Sequence, residues 1–391
     1  MKNIEKYIKI YKDGLLKNTM PFWINHGIDY NYGGFKMALD RNGRLLDTDK
    51  GMWQTSRFTW MLGTLYNEVE KRQEWLDLAI HGINFIEKYG FDTDGRMFFQ
   101  VTKDGKPIRR RRYVFTETFA ATAFAAVAKA TGDSKYARKA EDLYDLVIKY
   151  TNNPELEPAK FTDTRPLKGM AMPMTLISTA QEMRKNLGEE KYTGYIQSYI
   201  KEIQSDFMNE EFNVVLETVG PNGEFSDHFD GRLLCPGHAI ELAWFILQEA
   251  KLMNNEKYLK IGIKILDWMW EVGWDKEYGG IIYFRDAKGF PVQEYWQDMK
   301  FWWPQNETII ATLLAYQLTG DKKYEKWHND LHDWTYKYFP DKEFGEWFGY
   351  LHRDGRVSTT LKGNMWKGPF HIPRMELYSW KILEEIQASK G

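Results

Sequence analysis

TGDSKYARKA, residues 131–140, closes one apolar stretch with a polar turn and starts another with Lys-Tyr. The same design returns in LGEEKYTGYI (187–196), MNNEKYLKIG (253–262) and TGDKKYEKWH (319–328), and more weakly in EKRQEWLDLA (70–79). Its aromatic anchors Trp75, Tyr136, Tyr192, Tyr258 and Tyr324 recur every 56 to 66 residues. Self-similarity at such a period marks a repeat architecture. Each period is long enough for two helices and a sizeable connection.

Outward from the anchors, one helix precedes each turn, at about 52–70, 115–131, 172–187, 238–254 and 305–319. Its partner follows, at about 73–89, 134–150, 189–209, 256–272 and 321–338. Helices at 3–20 and 371–388 supply a sixth pair if the chain ends meet. The connections between pairs are long and carry Asp-Gly turn signals between aromatic stretches, as in FDTDGRMFFQVTKDGKPI (91–108) and EFGEWFGYLHRDGRVSTT (343–360), which reads as hairpins. YNYGGFKMALDRNGRLLD (30–47) and YGGIIYFRDAKGFPVQEY (278–295) match each other, with Tyr-Gly-Gly at 32–34 and 278–280. Short turns alternating with long hairpins put all long connections at one end of a ring of antiparallel pairs. The expected fold is all-α: an (α/α)6 barrel of six helix pairs with hairpin-like connections on one face, a single catalytic domain over residues 1–391.

Composition agrees with a large core, at 43% hydrophobic residues in 391. Aromatics reach 16%, and such side chains often line sugar clefts, where rings stack on C–H-rich faces. A net charge of −2 gives no global electrostatic case for nucleic acid or a membrane surface. The one cysteine, Cys235, excludes an intrachain disulfide and fits a reducing cytosol. The opening MKNIEKYIKIYKDG has no apolar core of a signal peptide, so a cytoplasmic location is expected.

A site on this scaffold should draw on the junctions where long connections lead into helices. Those junctions hold Arg57, Tyr113, Lys168, His238 with Glu241, Glu307, and His371 with Arg374. Trp244 and Trp302 lie beside them as aromatic faces for a substrate. The partial positive charge of a helix N-terminus disfavours imidazolium, so a histidine there tends to stay neutral and able to act as a base. Arg57 and Glu307 hold matching places 250 residues apart, where a buried ion pair between inner helices is the plain structural reading. The other histidines, His26, His81, His228, His328, His332 and His352, read as surface residues. No HExxH pattern or cysteine cluster argues for a metal, and no Gly-rich phosphate loop is present. The basic run at 109–112 reads as a solvated rim or an anion-attracting edge.

At these junctions the chain resembles the N-acylglucosamine 2-epimerase family, also called renin-binding proteins. The resemblance is carried by NYGGFKMALDRNGRLLDTDKGMWQTSRFTWML, TRPLKGMAMPM, CPGHAIELAWFIL, FWWPQNETIIATLLAY and LHRDGRVSTTLKGNMWKGPFHIPRM. It implies the same (α/α)6 fold and interconversion of N-acetyl-D-glucosamine and N-acetyl-D-mannosamine. It matches His238 and His371 to paired family histidines, and Arg57, Glu241, Glu307 and Arg374 to residues that hold the sugar. Related branches epimerise cellobiose or mannobiose, or isomerise mannose. Where cellobiose epimerases carry an additional histidine-containing motif, this chain reads MAMPMTLIS, which favours the N-acyl branch. The resemblance further implies ATP as an activator that is not hydrolysed, and a homodimer; no metal or redox cofactor is expected.

The chemistry so implied needs two groups that titrate near neutrality on opposite faces of C2, and histidine suits that task. It also needs a cation near O1, a role open to Arg57 or Arg374. Which histidine serves which face is not readable from the sequence. A glycoside hydrolase or lyase using Glu241 and Glu307 as its paired carboxylates is the competing class. A non-catalytic binding protein is the third.

Overall fold

In the computed structural model the recurrent polar turn is a pair of helix caps. The structure describes every residue except Lys2, Arg111, Arg112, Glu189, Lys390 and Gly391. Gly132, Gly188 and Gly320 end their helices in the left-handed conformation, and Asn254 does so in the fourth copy. Glycine lacks the Cβ that penalises this conformation, and asparagine tolerates it better than most residues. The next residue caps the following helix: Asp133, Asn255 and Asp321 each accept a hydrogen bond from the backbone N–H two residues on. The anchors Trp75, Tyr136, Tyr192 and Tyr324 are buried one turn later. The motif is therefore a local stop-and-start signal tied to the core.

Six helix pairs follow among the described residues. The N-terminal member is α1 (Ile4–Asp13), a π-helical turn (Gly14–Thr19) and α2 (Met20–Gly27), so it runs further than the sequence pattern indicates. Then come α3 (Met52–Glu68) with α4 (Gln73–Tyr89), and α5 (Phe115–Thr131) with α6 (Ser134–Asn152). The third pair is α7 (Ala171–Leu187) with α8 (Lys191–Glu202), which ends in a second π turn (Ile203–Phe207). A short α9 (Phe229–Arg232) precedes α10 (Pro236–Met253), paired with α11 (Glu256–Gly273). Last are α12 (Trp302–Thr319) with α13 (Lys322–Tyr338), and α14 (His371–Ala388), which packs on α1.

Helices α3, α5, α7, α10, α12 and α14 form the inner ring. α5, α10 and α12 are buried nearly all round because both their faces are covered. The outer helices α4, α6, α11 and α13 carry one buried stripe and one charged face. Trp60 and Arg57 of α3 meet Phe370, just ahead of α14, and this contact closes the ring.

The long connections are only partly hairpins. Phe98–Val101 pairs with Pro107–Arg110, and Ala38–Leu39 with Leu45–Asp47, as the Asp-Gly and Asn-Gly signals indicate. The connection at 343–360 also turns back at Asp354-Gly355, where Leu351 bridges Val357 and the His352 N–H donates to the Arg356 carbonyl. The one at 278–295 differs from expectation, and both of these connections also pair outside themselves. Arg285–Asp286 pairs with Leu233–Leu234, and Tyr350–Leu351 with Lys300–Phe301. Lys50–Gly51 with Phe98–Val101, and Lys168–Gly169 with Thr218–Val219, follow the same rule. Each two-residue strand that leads towards an inner helix is stitched to the next connection. Register between connections is a tertiary matter, and turn signals do not carry it.

The Tyr-Gly-Gly match proves structural and has a third copy. In each, an aspartate accepts backbone N–H bonds two and three residues on, and a buried lysine binds both that aspartate and a loop carbonyl. The sets are Lys50 with Asp29 and Gly33, Lys300 with Asp275 and Gly279, and Lys362 with Asp341 and Gly345. Burial of these ammonium groups is tolerable because each is paired with a carboxylate and donates to a loop carbonyl as well.

Two histidines read as surface residues are core. His328 and His332 on α13 face α1, where Tyr11 Oη lies 2.8 Å from His332 Nδ1. Burial holds His328 well below the ordinary imidazole range and pushes His332 down to about 3. Both are neutral packing groups, because the N-terminal helix covers a face that α13's own sequence leaves polar.

Candidate active site

The junctions converge on one cavity of about 1210 Å³ that opens among the long connections and continues along the seam between α7 and α10. Arg57, His238, Glu241, Trp244, Trp302, His371 and Arg374 all line it. Each sits on the first or second turn of an inner helix or just beyond, so rigid scaffold sets its position.

His371 opens α14 and is nearly buried. Its Nδ1 lies 2.7 Å from Glu307 Oε1 on α12. The Nδ1 hydrogen donates to that carboxylate, which leaves Nε2 as the basic nitrogen. The other oxygen, Glu307 Oε2, accepts from Trp244 Nε1 and from Arg374, each at 2.8 Å. Arg374 also reaches Glu241 Oε1 at 2.5 Å. One guanidinium therefore bridges two buried carboxylates, and one of those carboxylates orients a histidine. Burial, Arg374 and Arg57 together hold His371 well below the ordinary imidazole value. It is a neutral base at neutral pH.

His238 behaves in the opposite sense. It sits on the first turn of α10 with about a third of its side chain exposed to the cavity. Its Nδ1 lies 3.1 Å from Glu217 Oε2. Burial works against its imidazolium, but the Cys235 sulfur and the Glu217 carboxylate outweigh it and hold the pKa well above the ordinary value. Burial pushes the Cys235 thiol up, so at neutral pH the acting charge is the Glu217 carboxylate. This overturns the expectation that helix N-termini keep both histidines neutral: a full carboxylate at 3.1 Å outweighs a fractional terminal charge. The ring of Trp303 lies against both histidines, with centroids 4.8 Å from His238 and 5.9 Å from His371.

Arg57 is not the ion-pair partner of Glu307. Its guanidinium is stacked among the rings of Trp53, Phe119 and Phe370, 4.1 to 4.7 Å from their centroids, and its Nε has no partner. The carboxylates Glu241 and Glu307 act on it from a distance. Arg57 is thus a cation held at the cavity by aromatic faces, and the ion pair belongs to Arg374.

Two expected site residues are elsewhere. Lys168 lies outside the cavity lining, because Asp206 and Glu202 draw its ammonium away. Tyr113 is also outside it. Its ring packs on Phe115 and its carbonyl accepts from Arg96, which anchors to Glu117. Trp244 lines the cavity, but its indole N–H is committed to Glu307. In the basic run, Arg110 pairs with Asp92 and Asp94, and Arg109 packs on Phe99. Arg111 and Arg112 lie outside the described residues.

Among the described residues, two sets of side chains have the donor types of a metal site, each with ligand atoms within 4.8 Å: Glu217, Cys235, His238, and Glu241, Glu307, His371. In the second set the Arg374 guanidinium already supplies the positive charge between the two carboxylates.

The sequence pattern of the family described as N-acylglucosamine 2-epimerase (GlcNAc 2-epimerase) matches residues 33–372. The N-acylglucosamine 2-epimerase of Mus musculus is 34% identical over 379 residues, covering 92% of this chain and 88% of that one. That of Bos taurus is 32% identical over 394 residues, covering 96% and 91%. Among solved structures, cellobiose 2-epimerase from Bacillus thermoamylovorans superposes with a TM-score of 0.84 at 22% identity, over 96% of this chain and 99% of that one. At that identity the superposition bears on the fold, the (α/α)6 barrel. A family match across most of the chain and relatives above 30% identity lead to one assignment: the chain belongs to the N-acylglucosamine 2-epimerase family.

Proposed function

We propose that this enzyme interconverts N-acetyl-D-glucosamine and N-acetyl-D-mannosamine by exchanging the proton on C2 of the open-chain sugar. The observation that carries the proposal is the pair of carboxylate-held histidines on one cavity, whose environments push their pKa values in opposite directions. At neutral pH one is a base and the other an acid, which is the state a two-group epimerisation requires.

In one direction His371 Nε2 removes the C2 proton. The C–H electron pair forms a C1–C2 double bond and charge moves to O1. His238 then delivers a proton to the opposite face of C2, the electrons return, and the configuration inverts. One proton is taken and one is given. The enzyme form left behind, with His371 protonated and His238 neutral, runs the reverse reaction. Arg57 and Arg374 supply positive charge beside the cavity for the oxyanion. Glu307 and Glu217 orient the histidines; Glu241 orients Arg374.

The N-acyl branch is favoured by 32% and 34% identity to the two mammalian relatives. A hydrolase reading is disfavoured, because Glu241 and Glu307 are bridged by one arginine rather than free as an acid and a nucleophile. The chemistry is proposed as metal-free and redox-free. ATP activation rests on the resemblance alone. The cations lining the deeper cavity, Arg184, Lys185 and Lys251, are each engaged by carboxylates, so no step is routed through a nucleotide. A homodimer and a cytoplasmic location are proposed on the same basis, with sedimentation as the check on assembly. No helix among the described residues is long and apolar enough to cross a membrane.

The deciding experiment is NMR of N-acetylmannosamine with enzyme in heavy water, with and without ATP. Deuterium at C2 together with appearance of the glucosamine epimer supports the proposal. No exchange and no epimer would end it.

Glu217→Gln tests the acid arm. It keeps a hydrogen-bond acceptor but removes one of the two influences, the Cys235 sulfur and the Glu217 carboxylate, that raise His238. A group with a raised pKa loses its proton only at high pH, so the wild-type kcat/KM profile should hold to the alkaline side. In the variant the alkaline limb should move down towards the ordinary imidazole range, while the acid limb stays. An unmoved alkaline limb would refute the assignment of His238 as the acid.

A further inference from the structure

The three buried-lysine loops share one backbone. Ile28 bridges Phe35, Trp274 bridges Ile281 and Pro340 bridges Trp347. The N–H of Asp29, Asp275 and Asp341 donates to the carbonyl of Gly34, Gly280 and Glu346 in turn. The residue at that last place has φ of 65° in Gly34, 75° in Gly280 and 56° in Glu346. Two copies use glycine, which this left-handed conformation favours, and the third uses glutamate, which it strains.

Space explains why a side chain is permitted there. A Cβ at Gly34 would stand 2.7 Å from the Phe85 ring, and at Gly280 it would stand 2.7 Å from the Trp334 ring. The third loop meets the N-terminal π turn instead, and the Glu346 N–H donates to Asn18 Oδ1 at 2.7 Å. Permission does not explain retention of a strained, fully buried carboxylate. Its target does: Glu346 Oε2 takes the Lys367 ammonium at 2.5 Å, with both side chains wholly buried. Lys367 also donates to the Lys362 carbonyl, and Asn364 holds the Lys367 N–H and C=O. The other two loops have one clamping lysine and no counterpart of Lys367. This extra lysine lies four residues before His371.

We infer that Glu346 is a positioning residue: it fixes Lys367, and through it the Gly368–Phe370 approach that delivers His371 to Glu307. The inference rests on the proposed role of His371 and adds to it. Displacement of a reacting group by as little as an ångström can cost up to about a hundredfold in rate, and loss of positioning in the transition state falls on kcat more than on KM.

The test uses three variants of the full chain, assayed for C2 exchange and for melting temperature beside the wild type. Glu346→Gly restores the glycine of the other loops but leaves Lys367 without its carboxylate; kcat should fall roughly tenfold with KM little changed. Glu346→Gln keeps an acceptor and should recover part of kcat. The double variant E346G/K367M removes strain and charge together. It should regain melting temperature and still show the lowered kcat. A double variant with both melting temperature and kcat at wild-type level overturns the inference, because the pair would then serve folding alone. A wild-type chain without C2 exchange overturns the reading of His371 and this inference with it, so the two failures are distinguishable.

Discussion

His371→Asn will lose epimerisation by about a thousandfold, within the span that a positioned acid–base group contributes, while the fold stays intact. The amide can still donate to Glu307, so the hydrogen bond at 2.7 Å has a substitute. What disappears is a nitrogen able to take a proton. The variant should not be inert towards the isotope. His238 remains, and it can remove and return a proton on its own face of C2. In heavy water one epimer should therefore gain deuterium without inversion, and the other should not. His238 is held protonated well above the ordinary range, and it serves as a base only once deprotonated. The residual exchange should therefore increase as pH rises. His238→Asn should give the complementary pattern with the other epimer. Wild-type epimerisation in either variant, or equal deuterium uptake by both epimers, would refute the division of faces.

How much of this was legible in the sequence depends on whether the chemistry is local. The turn motif was readable because a left-handed Gly or Asn and a capping Asp or Asn act within three residues of each other. His238, His371, Glu241 and Arg374 were readable because junctions of a repeat must converge. Glu217 was missed because it lies 21 positions before His238 in an irregular connection, and only the pairing of Thr218–Val219 with Lys168–Gly169 brings it near. Lys168 was misplaced for a related reason: Asp206, in the π turn that ends α8, competes for it. Trp302 was named, but Trp303 is the ring against both histidines. Adjacent helix positions point about 100° apart, and the rotation of α12 is set by its neighbours. His328 and His332 needed knowledge of what covers α13.

Arg374→Met carries the second large effect, on rate and stability together. The guanidinium is nearly buried, seated over Phe370 and Trp244, and it bridges Glu241 and Glu307. Methionine fills similar volume but leaves two buried carboxylates facing each other without a cation. Breaking a buried ionic group from one side costs about 3–5 kcal/mol, which should appear as a lower urea midpoint. The catalytic loss should be about 10²- to 10³-fold in kcat/KM, the scale of one missing electrostatic donor to a developing oxyanion. The pH profile separates this from general damage. Arg374 is among the charges that depress His371, second to burial. A depressed base is active down to low pH, so the wild-type acid limb lies below the ordinary imidazole range. Without Arg374 that limb should move to higher pH, since His371 then holds its proton longer. Arg374→Lys restores a charge but not a planar fork able to reach both carboxylates, and should recover stability better than rate. An acid limb that stays in place in Arg374→Met, with kcat/KM near wild type, would remove Arg374 from the mechanism.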